Sequence, residues 1–158
     1  MAKAVVIYYS RTGNTKHMAE IIADEIQKEG VECDLKSISE IDASKLLNYD
    51  AIIIGSPTYY GTMAGEIKAL LDESVNFHGR LDGKIGGAFS SSANVGGGNE
   101  TTVLDIINAM LIHGMIIQGD PEGDHYGPVS IGFPDGRAIS NCKRFGKRMA
   151  QLIKKIKG

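Results

Sequence analysis

The feature that most constrains the fold is the opening alternation from Lys3 to Ile26, KAVVIYYSRTGNTKHMAEIIADEI. Ala4 to Tyr9 is a short apolar run rich in β-branched and aromatic residues, the pattern of a strand buried on both faces. It breaks into Ser10-Arg11-Thr12-Gly13-Asn14-Thr15, a polar loop with one glycine. A helical pattern follows at once, with Met18, Ile21, Ile22 and Ile26 on one face. The loop has the chemistry of an anion cradle. A helix start leaves backbone N–H groups without partners and carries positive potential. Ser10, Thr12 and Thr15 add hydroxyls, Asn14 adds an amide, and Gly13 lets the backbone close around an oxyanion. Arg11 or Lys16 can add charge. The loop is neither G-x-x-x-x-G-K-[ST] nor G-x-G-x-x-G. Taken alone, an ordinary turn capped by Thr15 reads equally well.

The alternation continues. Val31 to Ile38 alternates apolar and polar and reads as an outer strand, and Asp42 is placed to cap a short helix through Leu47. Tyr49 to Gly55 is another buried strand, with Pro57 as its expected stop. Thr62 is placed to cap a helix with Met63, Ile67, Leu70, Leu71 and Val75 inward. Ile85 to Ser90 is a strand thinned by Gly86 and Gly87, which admit a close-packed neighbour. Thr101 opens a helix with Val103, Ile106, Ile107, Met110 and Leu111 inward, ending at His113-Gly114. Met115 to Ile117 is the last expected strand, and Gly119 to Gly136 reads as irregular. A final helix buries Ile139, Cys142, Phe145, Met149, Leu152, Ile153 and Ile156. Five strands alternating with helical segments demand a doubly wound α/β parallel sheet with helices on both faces.

Ligands in such sheets bind beyond the strands' carboxyl ends. Three unusual loops fall at that rim. One is the polar loop above. The second, Gly55-Ser56-Pro57-Thr58-Tyr59-Tyr60-Gly61-Thr62, sets two adjacent tyrosines between a proline and a glycine. The third, Ser91 to Glu100, contains three consecutive glycines, entropically costly unless a ligand needs the backbone close. A phosphate cradle, an aromatic shelf and a backbone loop together suit a planar ring with a phosphate tail, and flavin fits. A chain of 158 residues suits a single domain, residues 1–158, and its net charge of −2 argues against nucleic acid. No apolar run is long enough for a bilayer, and the first residues do not read as a signal peptide. Cys33 and Cys142 lie far apart without metal-type spacing, so no metal is expected and the compartment reads as reducing and cytoplasmic.

S-R-T-G-N-T resembles the [ST]-x-T-G-x-T loop of the flavodoxin family, which holds the terminal phosphate of FMN. The resemblance implies a five-stranded sheet of order 2-1-3-4-5, with Ser10, Arg11, Thr12, Gly13, Asn14 and Thr15 on that phosphate. Within the superfamily the chain is similar to the WrbA type of NAD(P)H:quinone oxidoreductase. G-S-P-T-Y-Y-G-T-M-A-G-E-I-K-A-L-L-D, S-S-A-N-V-G-G-G-N-E-T-T, I-H-G-M and Y-G-P match that family's motifs in order. This likeness implies that Pro57, Thr58, Tyr59, Tyr60 and Gly61 hug the isoalloxazine. It implies that Ser92, Ala93, Asn94, Val95, Gly96 and Gly97 hold its pyrimidine side. It also places His113 near the ring as a catalytic general acid, and Phe77 with Tyr60 against the substrate.

The chain departs from that family in two ways. It is shorter, lacking insertions that help build a tetramer, so a homo-oligomer (dimer or tetramer) stays open. Its Thr12 and Asn14 stand where the quinone reductases have an aromatic and a histidine. Two functions follow. One is an FMN enzyme passing two electrons from NAD(P)H to a quinone, favoured by the near-neutral charge. The other is a flavodoxin carrier of single electrons to a redox protein partner, favoured by the phosphate loop and by the acidic stretch Asp120 to Asp124. The Tyr60-Gly61 peptide is expected to turn over toward the reduced ring, because glycine tolerates positive φ.

Overall fold

The computed structural model describes residues 1–158. Strand β1 (Lys3–Tyr8) leads to helix α1 (Asn14–Lys28) and then to β2 (Glu32–Ser37). A 3₁₀ segment at Ala43–Asn48 precedes β3 (Ala51–Tyr59), which folds back on β4 (Thr62–Met63). Helix α2 (Gly65–Glu73), β5 (Ile85–Ser92), α3 (Asn99–Ile112), β6 (Ile116–Ile117), β7 (Val129–Ile131) and α4 (Gly136–Lys157) complete the chain. The parallel sheet runs β2-β1-β3-β5, and its fifth position is shared by β6 and β7. The expected order 2-1-3-4-5 therefore holds, with the last strand divided.

Side-chain alternation builds two cores. Val5 and Ile7 of β1 and Ile52 and Ile54 of β3 face Ile67 and Leu70 of α2 and Val103, Ile106 and Met110 of α3. Ala4, Val6 and Ile53 face Met18, Ile22 and Ile26 of α1 and Cys142, Met149 and Ile153 of α4. Each buried isoleucine contributes about 1.5–3 kcal/mol. Gly86 and Gly87 let both layers close in, since a Cβ at Gly86 would stand 2.7 Å from Ile117 Cδ1 and one at Gly87 2.7 Å from Phe145 Cζ. Cys33 and Cys142 are buried free thiols pushed up to about 12 by burial, so they are core residues. No helix is long and apolar enough to cross a membrane.

Four expectations need correction. Pro57 does not stop β3, which runs on to Tyr59. Pairing with β1 ends at Gly55, so Pro57 lies where one edge of β3 is free and a missing N–H is tolerated. Thr62 does not cap α2; it pairs with Tyr59 in a hairpin, and the N-cap of α2 is Ala64. Val75, Leu111 and Ile156 point outward, because each lies at a helix end where the apolar stripe has left the sheet. The stretch after Gly119 is not wholly irregular. β6 pairs with Ile85 and Gly86 and β7 with Ser90 to Ser92, so one strand is interrupted by the intervening loop. That loop is strapped to α4: Arg144 Nε and Nη2 donate to the Asp120 carboxylate at 2.7 and 2.9 Å, and Arg137 donates to Asp124.

Candidate functional site

The sheet brings the three unusual loops to one rim. Ser10, Arg11, Thr12, Asn14 and Thr15 line a cavity of about 300 Å³ together with Pro57, Thr58, Tyr59, Ser91, Ser92 and Ala93. Arg11 is the only charged group in this lining, and no carboxylate is present. The cavity is therefore suited to an anion.

The polar loop is shaped by its glycine. Gly13 is the N-cap of α1 with φ 95°, and no side chain caps the helix. The backbone N–H groups of Asn14, Thr15 and Lys16 donate to nothing in the protein. Gly13 N–H donates to Ser10 Oγ at 3.1 Å, which draws the loop into a ring. Space beside Gly13 is open, with no heavy atom within 4 Å of a Cβ built there. Thr15, expected as a cap, instead reaches across the floor, its hydroxyl 2.9 Å from that of Ser91. Free donors around an open space are what a phosphate requires.

The walls come from β3 and the glycine loop. Tyr59 packs edge-on against Tyr9, ring centroids 6.4 Å apart at 83°. The Tyr9 phenol is pushed up by burial and by the nearby Glu66 carboxylate, so it stays neutral. Tyr60 is fully exposed at the tip of the β3–β4 hairpin. Ser92 Oγ donates to Asn94 O and accepts from Asn99 Nδ2, each at 3.0 Å, and Gly97 N–H donates to Asn94 O. The loop thus holds its own shape, while the N–H groups of Ala93, Asn94, Val95 and Gly96 have no acceptor in the protein. Gly13, Tyr60, Gly61 and Asn94 to Gly97 stand beside the cavity rather than in its lining.

Two predicted residues are not brought to this rim. His113 ends α3, which runs antiparallel to the strands, so it lies at the sheet's opposite end and lines a separate cavity with His78 and Asp72. The Ser74 hydroxyl donates to Leu71 O at 2.6 Å, so His113 Nε2 must donate to Ser74 Oγ at 2.7 Å. Nδ1 is then an acceptor without a partner. Burial and the neighbouring His78 push the imidazole pKa down, keeping it neutral. Phe77, in the 3₁₀ turn Ser74–Phe77, is half-buried against the core at the same end. Within one chain neither touches the cleft. Conversely, Ser91 lines the cavity and was not singled out from sequence. The serine run Ser90-Ser91-Ser92 at a buried strand's carboxyl end is the signal that could have found it.

Fold and cleft together define a doubly wound α/β protein with an uncapped helix start at the cleft, its N–H groups free to take an anion. The Flavodoxin domain family matches residues 5–96, and the chain belongs to that family. It is 38% identical to a flavodoxin of Aquifex aeolicus, over 97% of this chain and 88% of that one. It is 37% identical to an NAD(P)H dehydrogenase (quinone) of Rhodopseudomonas palustris over the full length of both. The first alignment spans 162 positions and the second 199, against 158 residues here, so the longer relative carries insertions. A flavodoxin structure from the domain Archaea superposes with a TM-score of 0.80 at 30% identity, covering 96% of this chain and 99% of that one. A WrbA-like flavodoxin of Agrobacterium tumefaciens shares the fold at a TM-score of 0.84 and 24% identity, covering 99% and 100%. The cofactor is FMN, and the donor-rich, carboxylate-free cradle fits its phosphate.

Proposed function

We propose that the protein is an FMN-dependent NAD(P)H:quinone oxidoreductase. The observation that carries this reading is the full-length match to a relative named for that activity. The net charge of −2 supports it, because a protein-docking carrier gains from a strongly acidic surface.

Ser10, Thr12, Thr15 and the free N–H groups at the start of α1 bind the phosphate, and Arg11 adds charge at the rim. Thr15 and Ser91 fix the cleft floor to β5. Thr58 and Tyr59, braced by Tyr9, form one wall for the ring, and the N–H groups of Ala93 to Gly96 meet its polar edge. Held there, FMN would supply the two-electron chemistry that links NAD(P)H to a quinone. No imidazole or carboxylate lines the cleft, so protons for the reduced quinone come from water at the open mouth. His113 does not fill that role within its own chain.

The second reading, a single-electron carrier, is favoured by the flavodoxin relative of nearly equal length. Steady oxidation of NADH or NADPH by the FMN-loaded protein with benzoquinone selects the enzyme. A yellow, fully loaded protein that does not turn over selects the carrier.

A further inference from the structure

Two hydroxyls meet on the floor of the cleft. Thr15, in the first turn of α1, and Ser91, on β5, are only 1% and 4% exposed, yet both line the cavity. Their oxygens stand 2.9 Å apart, and neither makes another hydrogen bond in the protein. Strand alternation brings Ser91 there. It follows Gly87 and Phe89 on the face of β5 turned toward α1 and α4.

Each hydroxyl carries one hydrogen and two lone pairs. A single bond between them uses one hydrogen and leaves the other over. Within the protein either oxygen can be the donor, so the pair has two equivalent directions. Ser10, on the opposite side of the loop, has only one. Its oxygen accepts from Gly13 N–H at 3.1 Å, and its own hydrogen has no acceptor in the protein. A phosphate dianion accepts hydrogen bonds and donates none. Beside Thr15 it can only take the Thr15 hydrogen, and the remaining bond must then run from Ser91 to Thr15. Two hydroxyls linked in that sense polarise each other, and burial strengthens both bonds. A neutral tail that donates as well as accepts imposes neither direction.

We propose that Ser91 is a positioning residue for the phosphate: it donates to Thr15, holds that side chain in place and turns its hydroxyl hydrogen into the cleft. This rests on the FMN reading and deepens it. A residue of β5, 76 positions from Thr15 in the chain, then takes part in recognising the anion without touching it. The consequence is selectivity, because the phosphorylated flavin gains from the ordered pair and the unphosphorylated flavin does not.

The test compares FMN with riboflavin, the same ring and polyol without the phosphate, by fluorescence titration of the FMN-free protein. Ser91→Ala should weaken FMN roughly three- to tenfold, the size of one hydrogen bond, and riboflavin less than about twofold. Thr15→Val, which keeps the shape and removes the hydroxyl, should weaken FMN about tenfold or more. Adding Ser91→Ala to Thr15→Val should cost FMN nothing further, since Ser91 acts only through Thr15. Thr15→Ser keeps the hydroxyl, so it should keep most of the preference for FMN and remain sensitive to Ser91→Ala. Equal losses for both flavins in Ser91→Ala would make the pair a structural tie and overturn the proposal. So would additive losses in the double variant. A wild type that binds riboflavin as tightly as FMN would instead remove the phosphate cradle itself.

Discussion

Helices α1 and α4 begin under opposite rules. α1 starts at Gly13, in the left-handed region at φ 95°, with no side chain on its first N–H groups. α4 starts at Asp135, extended, whose carboxylate accepts from Ala138 N–H at 2.9 Å. α3 follows the first rule, starting at Gly98 with φ 100° and no cap. The 3₁₀ segment follows the second, with Asp42 accepting from Ser44 N–H at 3.0 Å. The glycine-started helices are those entered from the loops at the cleft, the loops that follow β1 and β5 on either side of β3. An aspartate cap is worth about 1 kcal/mol to a helix. Its omission where the cleft lies, and its use where no ligand is expected, separates helix starts completed by a ligand from those completed by the chain.

The largest test of this contrast gives α1 the rule of α4. Gly13→Asp supplies a cap and places a negative charge where the phosphate is held. Aspartate tolerates positive φ better than most residues, and the space beside Gly13 is open. FMN affinity should fall by about a hundredfold or more, because charge-assisted hydrogen bonds worth about 1.5–3 kcal/mol are replaced by repulsion. The FMN-free protein should lose only about 1–2 kcal/mol of stability, the strain of a side chain at the positive φ of Gly13. Fluorescence titration with FMN and thermal denaturation read the two effects separately. Affinity unchanged within twofold would place the phosphate elsewhere.

A second test concerns the carboxylates that serve α4. Asp120 accepts from Arg144 and from Glu122 N–H, and the Arg144 guanidinium holds its carboxyl well below the usual carboxylate range. A carboxyl with a depressed folded-state pKa adds stability that is present above its ordinary pKa, near 4, and lost as pH falls through the folded value. Asp120→Asn should therefore cost about 1–2 kcal/mol at pH 7, allowing for solvent screening of the partly exposed Arg144. Its melting temperature should also decline less steeply than the wild type's below about pH 4. FMN affinity at pH 7 should not change. A parallel acid decline in both proteins would remove Asp120 from the strap.

These two regions also differ in how far the sequence disclosed them. The start of α1 was legible because a buried run, a polar hexapeptide and a helical stripe are all local signals. The glycine loop was legible for the same reason. The far end was not. His113 and Phe77 were carried to the cleft by a motif, and a motif does not say which end of an antiparallel helix meets the rim. β7 was hidden because three residues, Val129 to Ile131, gain their pairing only from β5, far away in sequence. Pro57 suggested a stop because its edge position depends on where β1 ends. Thr101 and Ser91 look like ordinary helix and strand residues until Gly61 and Thr15 are placed against them. What the sequence withheld in each case is a pairing between elements.

The smallest expected effect is the most discriminating control. Asp135→Ala removes the cap of α4 and leaves Ala138 N–H to water. The cost should be about 1 kcal/mol, measured as a lower denaturant midpoint with an unchanged slope. Asp135 follows β7 and lies outside the cavity lining, so FMN should bind the variant with wild-type affinity. If removing this cap weakened FMN as much as Gly13→Asp does, stability and binding would be coupled through the whole rim. The distinction between the two kinds of helix start would then describe two degrees of local rigidity rather than two partners.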